Sequence, residues 1–228
     1  MPACRLLVTG ATGFLGRWVF RHWRLTHRGA ELWATSEQPR PDDLTADEYR
    51  QVDLRDAAAV RELVAECRPA NVLHLAARIV ADDLDDLLAV NVEGTQHLYS
   101  ALCGASLKGL RVVQVGSAAM YGPVDEGDLP VTEAQPLRPV TPYAVSKARQ
   151  DELAAEMHER SGLAVIRARV FNMLGPGQGD QLVPMTFVRQ LQDIHAGCAG
   201  EIETGDTSTR RDFVDVRDVA AALDALLQ

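Results

Sequence analysis

Tyr143 and Lys147 stand four residues apart in Thr141-Pro142-Tyr143-Ala144-Val145-Ser146-Lys147, directly after a proline. Proline is favoured at the first position of a helix, and a spacing of four on a helix puts both side chains on one face, one turn apart. A free phenol has a pKa of about 10, so near neutral pH it is a weak proton donor and a poorer base. An ammonium within reach favours the phenolate and draws that value toward working pH. The two residues have the make-up of an acid/base pair for reducing a carbonyl or oxidising an alcohol. The spacing alone is common on solvated helices. The chemistry needs a hydride carrier, a hydroxyl to orient the reacting oxygen, and a pocket.

A carrier site is written near the start. Arg5-Leu6-Leu7-Val8 is a short apolar run that ends in Thr9-Gly10-Ala11-Thr12-Gly13-Phe14-Leu15-Gly16, and a helical pattern follows from about Phe14 to His27. Strand, glycine turn and helix form the context in which glycines cradle a phosphate. Gly10 permits the tight turn, Gly13 lets main chain approach a pyrophosphate, and Gly16 allows close helix packing. The helix start presents free N–H groups and a positive dipole end to the anion. The spacing is Gly-x-x-Gly-x-x-Gly rather than Gly-x-Gly-x-x-Gly. The next strand, Glu31–Thr35, ends where a carboxylate would bind a ribose diol and reject a 2′-phosphate. Ser36 and Arg40 suit the phosphate and Glu37 suits the diol, so the reading leans slightly to NADPH over NADH.

Later elements supply the remaining parts. Tyr49–Leu54 reads as a third strand with Asp53 at its carboxyl end. The helix Ala57–Cys67 and the strand Asn71–Leu75 follow, and Ala76-Ala77 are small enough for a cofactor to lie against main chain. Leu84–Ser106 is largely helical and contains Asn91, Gly94 and Thr95. Asp82, Asp83, Asp85 and Asp86 form an acidic first turn that complements the helix dipole rather than a metal site. The fifth strand, Arg111–Gly116, delivers Ser117, whose hydroxyl is placed to meet a bound carbonyl. Residues 123–139 are a proline-rich, acidic excursion. The helix Tyr143–Ser161 and the strand Ala164–Val170 lead to Phe171-Asn172. Beyond lie a Gly/Pro loop over 174–179, a helix over Leu182–His195, short strands over Glu201–Gly205 and Arg210–Val216, and a last helix from about Asp218.

This alternation predicts an α/β fold, a doubly wound, Rossmann-like parallel sheet. Residues 1–171 form the dinucleotide-binding part and 172–228 a partial substrate-binding region interleaved with the last elements. With 228 residues, 46% of them hydrophobic and 24% charged, the chain can bury a core unaided. A net charge of -9 argues against nucleic acid or an acidic membrane surface as partner. Cys4, Cys67, Cys103 and Cys198 form no Cys-x-x-Cys pair and read as reduced thiols, no histidine spacing suggests a metal, and no leader or spanning segment is evident. A cytoplasmic protein is the expectation.

Taken in order, the glycine turn, Asp53-Leu54, Leu75-Ala76-Ala77, Asn91 with Gly94-Thr95, Ser117 before Tyr121-Gly122, and the Tyr143/Lys147 pair resemble the extended short-chain dehydrogenase/reductase family, in its nucleotide-sugar branch. The resemblance runs from about residue 5 to 225. It implies a catalytic triad of Ser117, Tyr143 and Lys147. Tyr143 would transfer the proton, Lys147 would lower its pKa and hold the nicotinamide ribose, and Ser117 would bond the sugar oxygen. It implies cofactor contacts at Gly10, Thr12, Gly13, Phe14, Leu15, Gly16, Ser36, Arg40, Asp53, Leu54, Leu75, Ala76, Ala77 and Asn91, with Asp53 meeting the adenine amino group. Asn172, Gln178 and Arg211 would contact the nucleotide-diphosphate sugar. The acidic pair by which sugar dehydratases eliminate water is replaced here by Ala118 and Ala119, which disfavours dehydration. Within the branch the chain looks most like the GDP-4-keto-6-deoxymannose reductases, which reduce a 4-keto sugar with NAD(P)H. A 4-epimerase with tightly held NAD is the alternative, and a non-catalytic NAD(P)-binding protein a further one. The resemblance also implies a homodimer through the helices 84–106 and 143–161. Family members continue past the last helix into a small lobe, so a chain ending at Gln228 is expected to be truncated or to have a shortened substrate part.

Overall fold

The computed structural model describes residues 5–228 apart from 82, 180, 181, 199 and 209; Cys4 and Asp82 of the sequence reading lie outside the described residues. Six parallel strands form the main sheet: β1 (Arg5–Thr9), β2 (Glu31–Ser36), β3 (Glu48–Gln51), β4 (Asn71–His74), β5 (Arg111–Ser117) and β6 (Ala164–Val170). Their order is β3-β2-β1-β4-β5-β6. The direction of winding therefore reverses between β1 and β4, the place where such sheets open a crevice at their carboxyl ends.

Strand side chains alternate between two cores, as period 2 requires. Leu6 and Val8 face one core with Phe20 and Trp23 of α1 (Phe14–Thr26), and Leu7 faces the other with Val60 and Leu63 of α2 (Ala57–Cys67). Between β4 and β5 the chain forms α3 (Leu84–Leu88), a π-helical turn (Ala89–Glu93) and α4 (Gly94–Gly104). After β5 a short 3-10 turn (Ala118–Tyr121) precedes the long α5 (Pro142–Ser161), which starts at a Thr141 cap with Pro142 in its first turn. Asp151 of α5 is 1% exposed and pairs with Arg167 (2.7 Å) and Arg169 (2.8 Å) of β6. That clamp fixes α5 on the sheet edge.

A two-stranded parallel ladder joins β7 (Asn172–Leu174) to β8 (Phe213–Asp215), with α6 (Val183–His195) between them and α7 (Val216–Ala225) after them. The sequence expects a strand over 201–205, and none forms. The main chain of Glu203 is instead taken by the Gln190 side chain, which accepts from its N–H (2.6 Å) and donates to its carbonyl (3.0 Å). The expected strand over 210–216 shortens to β8, because Val216 already begins α7 behind an Asp215 cap. No helix among the described residues is long and apolar enough to cross a membrane. Neither α4 nor α5 exposes a large hydrophobic side chain among those residues, so their outer faces give no direct mark of a dimer.

Gly16 is where packing tolerates no side chain. A Cβ there would lie 2.5 Å from the Ala11 carbonyl oxygen. Gly104, at the end of α4, has open space around it. Gly16→Ala should cost about 2 kcal/mol of stability, and Gly104→Ala should be neutral or add up to about 1 kcal/mol. Urea unfolding of the two variants against the parent checks the contrast.

Candidate active site

The crevice at the β1/β4 switch is formed by close main-chain approach. Gly10 has φ +67°, and a Cβ on it would meet Ala76 N at 2.7 Å. The helix that follows is left open: side-chain oxygens of Asp56, Asp83, Thr141 and Asp215 cap α2, α3, α5 and α7, whereas α1 begins at Gly13 with no side-chain cap and no acid in its first turn. Its N–H groups and dipole are thus available to an anion. A cleft of about 120 Å³ beside it is lined by Gly10, Thr35, Ser36, Asp53, Leu54, Ala76 and Ala77. The Thr35 hydroxyl is buried there and has no hydrogen-bond partner among the described residues, which leaves it free to meet a polar group in the cleft. The uncapped helix, the glycine approach and this unpartnered hydroxyl together fit a dinucleotide.

Six predicted contacts, Gly10, Ser36, Asp53, Leu54, Ala76 and Ala77, line this cleft; others support it. Thr12 bonds Ser36 (2.9 Å) and ties the turn to the end of β2. Leu15 is buried in the core, and Phe14 and Leu75 pack against the same core. Asp53 holds Arg55 through Nε (3.0 Å) and Nη2 (2.6 Å), which keeps its carboxyl below the usual range.

Two of the expected contacts need correction. Arg40 does not reach the ribose site: its Nη2 donates to the carbonyls of Leu44 (3.3 Å) and Ala46 (2.9 Å), closing its own loop. Asn91 is fully buried and is not among the residues lining the cleft; its amide is committed to the Arg78 main chain (2.7 and 3.0 Å) and to the Ser146 hydroxyl (2.9 Å). The cation at the rim is Arg78, which the sequence reading passes over although it directly follows Ala76-Ala77. It pairs with Asp86 (2.6 Å) and with Glu37 at the end of β2 (3.3 Å).

The acid/base pair sits on the same carboxyl edge of the sheet. Ser117 ends β5, and its hydroxyl accepts from Ala119 N–H (3.2 Å), which fixes the side chain. Burial raises the Tyr143 pKa above its ordinary value, and the Ser117 hydroxyl opposes this only in part. The sequence expects Lys147 to lower it. Instead the Lys147 ammonium turns inward, donating to the Val115 carbonyl (2.7 Å) and to Gln150 Oε1. Burial pulls the Lys147 pKa down to about 7, with Asp151 opposing the shift. Tyr143 is thus a protonated phenol at neutral pH, the form that donates rather than accepts.

Below Lys147 the buried His74 of β4 bridges Thr9 (Nδ1, 2.6 Å) and Thr95 (Nε2, 2.7 Å). Thr95 gives its one hydroxyl proton to the Asn91 carbonyl (2.7 Å), so toward His74 it accepts, and His74 carries its proton on Nε2. Burial, aided by the positive charge of Lys147, lowers the His74 pKa to about 3.

Of the residues expected to meet the substrate, Asn172 pairs with Phe213 in the β7–β8 ladder, which brings it close to the segment carrying Arg211. Asn172 donates to the Asp212 carbonyl (2.9 Å). Among the described residues, the exposed Arg211 donates to the Arg210 carbonyl (2.8 Å). Gln178 donates to Met173 O (2.8 Å), and its buried Oε1 has no partner among the described residues.

Residues 6–228 match the family described as the NAD dependent epimerase/dehydratase family. The GDP-6-deoxy-D-mannose reductase of Pseudomonas aeruginosa is 33% identical over 228 residues, covering 98% of this chain and 70% of the reductase. The structure of RMD from Pseudomonas aeruginosa complexed with NADPH aligns with a TM-score of 0.84 at 32% identity, over 99% of this chain and 72% of that one. The Thermus thermophilus UDP-glucose 4-epimerase complex with NAD aligns with a TM-score of 0.83 at 28% identity, over 98% of this chain and 74% of that one.

A histidine kept neutral by burial leaves a pH signature. The unfolded chain protonates His74 below its ordinary 6.5, while the native chain does not until about 3. Stability attributable to His74 is therefore complete above pH 6.5 and falls as the pH drops toward 3, with a slope of at most about 1.4 kcal/mol per pH unit. His74→Gln should flatten that slope between pH 6 and 4, measured by urea unfolding at each pH.

Proposed function

The chain belongs to the NAD dependent epimerase/dehydratase family, and we propose that it is a ketoreductase that reduces a nucleotide-linked 4-keto-6-deoxy sugar. The observation that carries this reading is that the buried Tyr143 phenol lies under the influence of the Ser117 hydroxyl, which ends β5 on the sheet edge that also bears the dinucleotide cleft. A phenol held protonated by burial is suited to donating its proton to an alkoxide oxygen as it forms. Ser117, fixed by its bond from Ala119, orients the carbonyl oxygen toward that phenol. A bound nicotinamide supplies the hydride. Ala118 and Ala119 offer no acid or base, so these two positions give no support to water elimination. On this reading Asn172, Gln178 and Arg211 would contact the sugar nucleotide, with Arg211 as the cation for its pyrophosphate.

The rim of the cleft bears on the choice between NADH and NADPH. Among the described residues Glu37, Asp53 and Asp86 pair there with Arg55 and Arg78, and Arg40 is engaged in its loop. A 2′-phosphate would add up to about two negative charges to this excess of carboxylates. The unphosphorylated cofactor is the better match, a reversal of the lean that rested on Arg40.

Mixing the chain with NADH and GDP-, UDP- or dTDP-linked 4-keto-6-deoxy sugars should bleach the nicotinamide absorbance, and Tyr143→Phe should slow turnover by roughly a hundredfold or more. Unchanged turnover in that variant would sink the mechanism. Turnover of a sugar nucleotide without added cofactor would instead favour an epimerase. For the cofactor, NADH should bind more tightly than NADPH by fluorescence titration, and Glu37→Ala should narrow the gap by roughly tenfold.

A further inference from the structure

Gln150 lies three residues beyond Lys147 on α5 and is fully buried. A glutamine facing into a sheet has to satisfy both ends of its amide. Here the Lys147 ammonium, a donor only, fixes which end is which: Oε1 accepts from Nζ, so Nε2 points the other way and donates to Thr95 Oγ1 (2.7 Å). Thr95 receives His74 Nε2 (2.7 Å), and His74 Nδ1 meets Thr9 (2.6 Å), the residue before Gly10. Ala76 N–H closes the far end on Thr9 Oγ1 (3.3 Å). An uncharged chain of side chains thus runs from the floor of the dinucleotide turn to the lysine. The Gln150 main chain is also held, since its carbonyl accepts from Gln114 Nε2 (3.2 Å), and Gln114 is in turn bonded by the Tyr99 hydroxyl.

We infer that Gln150 is a positioning residue: with the Val115 carbonyl it takes two of the three N–H donors of Lys147 and so aims the third toward the cofactor side. An ammonium held by one acceptor can still spin; one held by two cannot, and its remaining hydrogen has a single direction. The groups around Nζ leave this task to Gln150. Asp151, the nearest carboxylate on the helix, is bound by Arg167 and Arg169 of β6; His74 of β4 is neutral; and Tyr143, one turn earlier, is kept protonated by burial. What Lys147 does in turnover rests on the ketoreductase reading, whereas the hold of Gln150 upon it does not.

The chain has two lysines, the buried Lys147 and the exposed Lys108, so lysine-labelled protein gives two side-chain signals with Lys108 as internal reference. In the full chain the Lys147 signal should titrate near 7. Gln150→Glu, which places a carboxylate at the same atom, should move its midpoint up by about one pH unit or more, and Gln150→Met, which removes the acceptor, should move it down. Gln150→Met should also weaken NADH binding and slow reduction by roughly tenfold to a hundredfold, while Gln150→Glu shifts the pH profile of reduction in the same direction as the lysine midpoint. A Lys147 midpoint that is the same in all three proteins overturns the proposal. Shifted midpoints in a chain that reduces no sugar nucleotide uphold the hold of Gln150 on Lys147 and sink the ketoreductase reading instead. Should Gln150→Met fail to fold, the unmutated chain decides: a nuclear Overhauser contact between the Lys147 ε-protons and the Gln150 side-chain amide is expected, and its absence overturns the proposal.

Discussion

Lys147 carries an amine to a depth where charge is disfavoured, and much of the architecture around the site answers that burial. Removing an ammonium from water costs several kcal/mol unless acceptors replace the solvent. The acceptors provided are a carbonyl of β5 and a side-chain amide of the same helix. The one carboxylate that could have neutralised it, Asp151, is committed to two arginines. That division has two effects. The ion pairs lock α5 to β6, where loss of one partner would leave a buried charge uncompensated. The lysine, left with neutral acceptors, is held at the edge of its protonated range.

The two halves of the site are built differently. The dinucleotide half is made of main chain approaching main chain at Gly10 and Ala76, backed by two buried cores. The half proposed for the sugar nucleotide is a ladder of three residues per strand and a helix, α6, with no buried residue. Few buried apolar contacts mean low local stability. The first half is formed before a ligand arrives; in the second, a bound sugar nucleotide would contribute part of the order.

The elements that could be read from the sequence are those whose signals are local. The helix Ala57–Cys67 and the strand Ala164–Val170 form with the expected bounds, since a cap residue or an apolar run marks each end. For the same reason the glycine turn falls before α1, Ser117 at the end of β5 and Tyr143 in the first turn of α5, where the sequence expects them. The strand expected over 201–205 was misread because its partner proved to be a side chain, Gln190, and side-chain pairing leaves no periodic trace. Arg40 and Arg78 show a second limit. Composition reveals a cation near the ribose, but only the fold decides which arginine turns toward it. Gln150, His74 and Thr95 come from three separate segments and carry no motif between them, so their assembly could be seen only in three dimensions.

The π-helical turn at Ala89–Glu93 bears on how this chain tolerates being edited. Asp86 and Asn91 are five residues apart, yet both address Arg78, one by its side chain and the other by its main chain. On a regular α-helix a separation of five leaves two side chains about 140° apart, pointing to different neighbours. The wider turn brings them to one target and still delivers Thr95 to His74. Substitutions on the outer face of 84–95 leave that arrangement alone, but deleting a single residue would rotate one half against the other by about 100°. In this segment the number of residues is under tighter constraint than the identity of most of them.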